Sequence, residues 1–152
     1  MTRYASKTEV STDRSRVEIE RILKRYGATA FGYMWEGTRA RIGFAANGRR
    51  LRFDLPLPDR KQFLMSPSGR ARGEAAVAAA WEQACRQAWR ALALVIKAKL
   101  EAVEAGIVAF EAEFLAHILL PDDTTVGPWA RPQIEAAYQS GETPRRLGRP
   151  DA

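Results

Sequence analysis

A chain of 152 residues with 46% apolar content is long enough to bury one hydrophobic core, and one domain is the default. Its single cysteine, Cys85, excludes an intrachain disulfide and a multi-cysteine zinc site. Charges flank the apolar run at 91–96, so no stretch is long enough to cross a bilayer, and the N-terminus lacks the apolar core of a signal peptide; a cytoplasmic protein is expected.

The net charge is +6 and it is unevenly spread. Residues 1–72 hold sixteen Lys/Arg against seven Asp/Glu, residues 73–141 hold five against nine, and the remaining tail holds three against two. A positive first half of this kind points to a polyanionic partner.

Residues 1–12 are polar and mixed in charge and predict a flexible arm. A first helix is predicted over 13–26. Ser15 with Glu18 fits a capping box, Asp13 is an alternative cap, and Ile19, Ile22, Leu23 and Tyr26 share one face. Gly27 supplies a left-handed stop.

From Thr29 the period becomes two. Phe31, Tyr33 and Trp35 alternate with Ala30, Gly32 and Met34; Ala40, Ile42 and Phe44 with Arg39, Arg41 and Gly43; Leu51, Phe53 and Leu55 with Arg50, Arg52 and Asp54. Glu36-Gly37-Thr38 and Asn47-Gly48 are the turns, the second a strong hairpin signal because both residues tolerate positive φ. The result is an antiparallel meander with one apolar face, which needs a cover, and one arginine face. Pro56 and Pro58 end the third strand, and 57–73 reads as a long basic connector with a possible helical turn near 59–64.

The longest apolar-periodic run spans 74–120. Trp81, Cys85, Trp89, Leu92, Ile96, Leu100, Val103 and Ile107 recur at helical spacing, while Leu94, Val95 and Val108 widen the stripe toward further neighbours. This is the expected scaffold helix, and Gly106 marks a kink or a break in it. Phe110, Phe114, Leu115 and Ile118 continue the spacing beyond. Pro121-Asp122-Asp123 turns the chain, and a last helix begins at Gly127-Pro128, carries Trp129, Ile134 and Tyr138, and ends near Gly141. Residues 142–152 read as a disordered basic tail. The fold class is therefore α+β, in the order α-β-β-β-α-α-α, with residues 13–141 as one domain and the meander backed by the first and the long helix.

Catalysis finds little support. His117 is the sole histidine, and the chain has no glycine-rich phosphate loop or nucleophile elbow. Glu113 and His117, with Asp122 and Asp123 nearby, suggest a cation site, but two of those ligands lie on a loop and an ordinary solvated helix end is the favoured reading. Cys85, within the helix stripe, reads as a small buried apolar residue. The expectation is a protein without catalytic residues, cofactor or metal.

Nucleic-acid binding is better supported. Arg39, Arg41, Arg50 and Arg52 fall on one sheet face, Arg49 lies at the hairpin turn, and Arg60, Lys61, Arg70 and Arg72 line the connector, an arrangement suited to phosphate contacts of little sequence dependence. Phe31 and Tyr33 are read as core and Trp35, beside the turn, as the base-stacking candidate. Single-stranded or double-stranded DNA or RNA would all satisfy this pattern.

The order helix, meander, helix resembles the double-stranded-RNA-binding domain in topology, although Gly73-Glu74-Ala75-Ala76 stands where that domain has a lysine-rich helix start. A three-stranded sheet backed by a long helix is similar in outline to the core of phage single-strand annealing proteins. At the level of sequence, Leu55-Pro56-Leu57-Pro58, Trp89-Arg90-Ala91-Leu92, Ile96-Lys97-Ala98-Lys99-Leu100-Glu101-Ala102-Val103-Glu104 and Leu119-Leu120-Pro121-Asp122 resemble a family of small uncharacterised bacteriophage and prophage proteins, over residues 17–141. That resemblance implies a phage or mobile-element setting and no particular reaction. Two functions follow from it: a nucleic-acid-binding accessory protein, or an anti-defence protein that inhibits a host enzyme by binding it. A third is a structural oligomer joined through the long helix, with Trp81, Trp89 and Leu92 against a second copy.

Overall fold

The computed structural model describes residues 3–144, with side chains described from residue 13 onward. It has the α+β order read from the sequence: helix α1 (Arg3–Arg25), strands β1 (Ala30–Glu36), β2 (Arg39–Ala46) and β3 (Arg49–Pro56), helix α2 (Glu74–Glu104), a short helix α3 (Phe110–Glu113) and helix α4 (Val126–Ser140). Short 3-10 helices at Arg60–Phe63 and Leu115–His117 sit in the connections.

Helix α1 starts ten residues before the predicted Asp13. Residues 3–12 show no apolar phase, but they contain neither Gly nor Pro, so nothing stops helix propagation back from the apolar turns. Asp13 and Ser15 are thus interior positions and not caps, and Asp13 pairs with Arg16 one turn on. The tail at 145–152 lies outside the described residues, as do Met1 and Thr2 of the predicted arm.

Helices α1 and α2 end in the same way. Gly27 (φ +95°) donates to the Lys24 carbonyl while Ala28 N–H reaches Leu23 O at 2.9 Å; Gly106 (φ +74°) donates to Val103 while Ile107 N–H reaches Ala102 O at 3.1 Å. Both are Schellman ends built on a left-handed glycine. Gly106 therefore terminates α2, and Ile107, which keeps the helical spacing, is 81% exposed and outside the stripe it was expected to extend.

The sheet is an antiparallel meander of order β1-β2-β3. Its register aligns Phe31 with Phe44 and Leu51, Tyr33 with Ile42 and Phe53, and Trp35 with Ala40 and Leu55. Asn47 (φ 51°) and Gly48 (φ 72°) make the β2–β3 turn with two positive-φ residues, the geometry that matches strand twist. The face so aligned is covered by Ile19 and Leu23 of α1, by Cys85, Trp89, Leu92, Ile96 and Leu100 of α2, and by Phe114, which sets its ring edge-on against Phe44 and Phe53 at centroid distances of 6.1 and 6.2 Å. Arg14 and Glu18 of α1 lie beside Arg86 and Arg90 of α2, and Tyr26 lies beside Glu104, so the two helices run side by side in the same direction.

Three expectations about the helices need correction. Trp81 is only half-buried: its indole N–H donates to Pro58 O at 2.7 Å and the Arg60 guanidinium lies over its ring, so it clamps the connector, whereas Trp89 fills the core at 2% exposure. Leu94 and Val95 are exposed and meet no further layer among the described residues. Helix α4 forms where the spacing placed it, but Trp129, Ile134 and Tyr138 stay exposed because α4 packs mainly on the Leu115–His117 turn.

The strand β3 edge is continued by Leu119, whose N–H donates to Arg50 O at 2.8 Å, and by a bridge between Leu51 and Ile118. No strand of the described residues continues the β1 edge.

Candidate nucleic-acid interface

Alternation puts Ala30, Gly32, Met34 and Glu36 of β1, Arg39, Arg41, Gly43 and Ala45 of β2, and Arg50, Arg52 and Asp54 of β3 on the face away from the helices. The helices pack on the other face, and among the described residues no helix covers this one. Arg39, Arg41, Arg50 and Arg52 do share it, as their spacing predicted.

Their charge is shared with Asp54, which the alternation puts on this same face, and with Asp123, which comes from a distant loop. Arg41 Nε lies 3.1 Å from Asp54 Oδ1, across the β2–β3 ladder. Arg52 Nε is 3.3 Å from the same oxygen but poorly aligned with it, and its Nη1 donates to Asp123 O at 2.9 Å. Arg50 reaches Asp123 Oδ1 at 3.4 Å. The Arg50–Asp123 pair is exposed and the Arg41–Asp54 pair partly so, and surface ion pairs contribute about 0–1 kcal/mol each, so a phosphate can displace these two, whereas Arg52 Nε is buried.

The remaining predicted residues fall elsewhere. Trp35 is 58% exposed but shares the helix-side parity of Ala40 and Leu55, so it cannot stack a base held on the arginine face. Tyr33, also on that side, lies between Trp89, at a ring distance of 5.4 Å, and the Arg16 guanidinium, 4.4 Å over its ring; Phe31 packs against the core. Arg49 likewise belongs to the helix side and pairs with Glu111 at 3.2 Å.

In the connector, the expected turn is the 3-10 helix at Arg60–Phe63, capped by Asp59, whose carboxylate accepts from Lys61 N–H at 3.0 Å. Arg72 donates to the carbonyls of Phe63 and Met65, at 3.1 and 3.2 Å, closing a small hairpin that turns at Gly69. Arg60 and Arg72 are thereby engaged within the protein, while the Lys61 and Arg70 side chains remain exposed. The connector packs on α2 and does not extend the open face.

The floor of that face is built from residues that carry no chemical motif in the sequence. Gly32 and Gly43 are register partners, flanked by the pair Ala30 and Ala45. Neither glycine has positive φ, and an added Cβ would meet nothing within 4 Å at Gly32 and only Leu51 O at 3.7 Å at Gly43. Nothing in the fold requires glycine there, although glycine in a strand costs roughly 0.5–1 kcal/mol. What the pair provides is close access to the sheet backbone, with Arg50 and Arg52 as a rail alongside.

The residues weighed for other chemistry are occupied. Glu113 accepts from Lys99 Nζ at 3.1 Å, and Asp122 accepts from Thr124 N–H and Oγ1, which holds its carboxyl below the usual range. His117 stacks on Phe53 at 3.9 Å; burial and, next, the Lys99 charge push its pKa down. Cys85 is buried, and burial raises its thiol pKa. Among the described residues, no cluster of three or more His, Cys, Asp or Glu could hold a metal, and no helix is long and apolar enough to cross a membrane.

Comparison with known proteins finds no match to a family model, a curated protein or a solved structure.

Proposed function

We propose that the chain is a non-catalytic nucleic-acid-binding accessory protein, acting in the phage or mobile-element setting that the sequence resemblance implies. The observation that carries this reading is the open sheet face, where a glycine and alanine floor lies beside Arg50 and Arg52 and is closed at one end by Arg41 and Arg39. A strand laid on the floor brings its phosphates to the guanidiniums, and the floor offers no side-chain donor or acceptor to read a base edge, which accounts for sequence independence. Phosphates replace Asp54 and Asp123 as partners of the rail, so binding weakens steeply with salt.

The test is a titration of the protein against labelled single-stranded and double-stranded DNA and RNA at two salt concentrations. Salt-sensitive binding in the micromolar range or tighter supports the reading, and absence of binding at low salt overturns it. The exposed Trp129, Ile134 and Tyr138 of α4 favour a second reading, a protein-binding inhibitor of a host enzyme, for which the same titration is silent and a pull-down is positive.

A further inference from the structure

The sheet is not the only place where arginines converge. Helices α1 and α2 enclose a groove of about 440 Å³ lined by no sheet residue, with Arg14 and Glu18 on one wall and Gln83, Arg86 and Arg90 on the other. Arg86 and Arg90 are one helical turn apart, so both reach the groove from the same wall, and the buried Ala93 gives it depth. Gln83 Oε1 accepts from Arg86 Nη2 at 2.6 Å, which orients that guanidinium and leaves the Gln83 amide N–H groups as further donors.

Its electrostatics differ from those of the sheet. On the sheet face Arg41, Arg50 and Arg52 each have a carboxylate within 4 Å, whereas no ion pair among the described residues involves Arg14, Arg86 or Arg90. The carboxylate that lines the groove is Glu18, in the α1 wall, and the neighbouring Asp13 pairs with Arg16. Three guanidiniums against one lining carboxylate make a concave positive site, and concavity between low-dielectric walls focuses that field.

We infer that the α1–α2 groove is a second anion site, one that takes a ligand bearing two or more linked phosphates, with Arg86 and Arg90 binding one end and Arg14 the other. Guanidinium forks match phosphate oxygens in geometry as well as charge, and two arginines spaced one turn apart favour a linked phosphate over a single one. The inference does not rest on the sheet-face reading. The ligand can be a free polyphosphate or the phosphodiester backbone of a nucleic acid, since both present the same chemistry.

Tripolyphosphate binding, followed by calorimetry on the full chain at low salt, tests the site. Wild type is expected to bind, the double variant Arg86→Gln with Arg90→Gln to lose affinity by about tenfold or more, and Arg41→Ala with Arg52→Ala to keep it. No binding by the wild type, or undiminished affinity in the groove variant, overturns the inference. A loss confined to the sheet variant also overturns it and moves the anion site to the sheet. If the groove variant melts well below wild type, Arg14→Gln on the opposite wall replaces it, with the same expected loss. A short single-stranded oligonucleotide that displaces tripolyphosphate from wild type identifies the phosphodiester source; failure to displace it identifies a free polyphosphate.

Discussion

The two faces of the sheet come from the same three strands and the same alternation, yet one is closed and the other open. On the closed face, large side chains from β1, β2 and β3 meet two helices and the Phe114 ring. On the open face the glycine and alanine pairs of β1 and β2 lie beside Arg50 and Arg52, and Met34, Glu36, Arg39 and Arg41 stand at one end, with Asp54 and Asp123 pairing Arg41 and Arg50. Alternation decides only which residues share a side. Whether a side becomes core or surface depends on what the rest of the chain supplies to cover it.

The largest effect should come from opening the closed face. Trp89→Ala removes a nearly fully buried indole and its contact with Tyr33, and should lower stability by about 3–5 kcal/mol in urea unfolding. Trp35→Ala, at the exposed margin of the same face, should cost less than about 1 kcal/mol. Equal losses at the two positions would mean that the helices cover the sheet differently from the arrangement described.

The next effect is on binding and belongs to the open face. Arg41→Ala with Arg52→Ala removes two phosphate contacts and should make the salt slope for single strands shallower by roughly 1.4, read from titrations at several salt concentrations. Melting curves check that Asp54, left without both partners, does not unfold the sheet.

A smaller change separates the floor from the rail. Gly32→Val places a β-branched side chain in open space, so it should leave stability unchanged or raise it by roughly 0.5–1 kcal/mol while weakening nucleic-acid binding. Binding that survives this substitution would show that the floor is not approached closely.

The smallest effect is a pH dependence from the closed side. His117 has its pKa lowered by burial, so below its ordinary value of about 6.5 the unfolded chain takes up a proton that the folded chain resists. Its contribution to stability is therefore full above that value and is lost as pH falls toward the lowered folded value. His117→Phe, which keeps a ring on Phe53, should flatten the fall in urea midpoint between about pH 7.5 and about pH 5.5. An unchanged pH profile would assign the dependence to other groups.

Much of the fold was legible because its signals are local. Period-two alternation and Asn47-Gly48 specify the meander, and proline-free helical spacing specifies α2. The start of α1 was not legible, since residues 3–12 are helical without an apolar phase, and the end of α2 was ambiguous because Ile107 keeps the spacing that Gly106 breaks. At the site, the shared side of Arg39, Arg41, Arg50 and Arg52 followed from parity, and parity also puts Trp35 opposite them. The counter-charges did not follow, because Asp123 and Glu111 reach β3 from far along the chain. Arg14 and Arg86 meet only through helix packing, which no spacing in the sequence encodes.

The order of the elements also has a consequence in time. Every strand pairing joins chain neighbours across a two-residue turn, so the meander can form as soon as Pro56 has left the ribosome. Half of its lid, α1, is already outside by then, but α2 must still emerge. At about 5–20 residues per second, the 31 residues of α2 take a few seconds, during which the sheet's apolar face has only α1 against it. The nascent chain thus passes through a stage in which its future core is its stickiest surface, and translation speed between Arg60 and Glu104 sets how long that stage lasts.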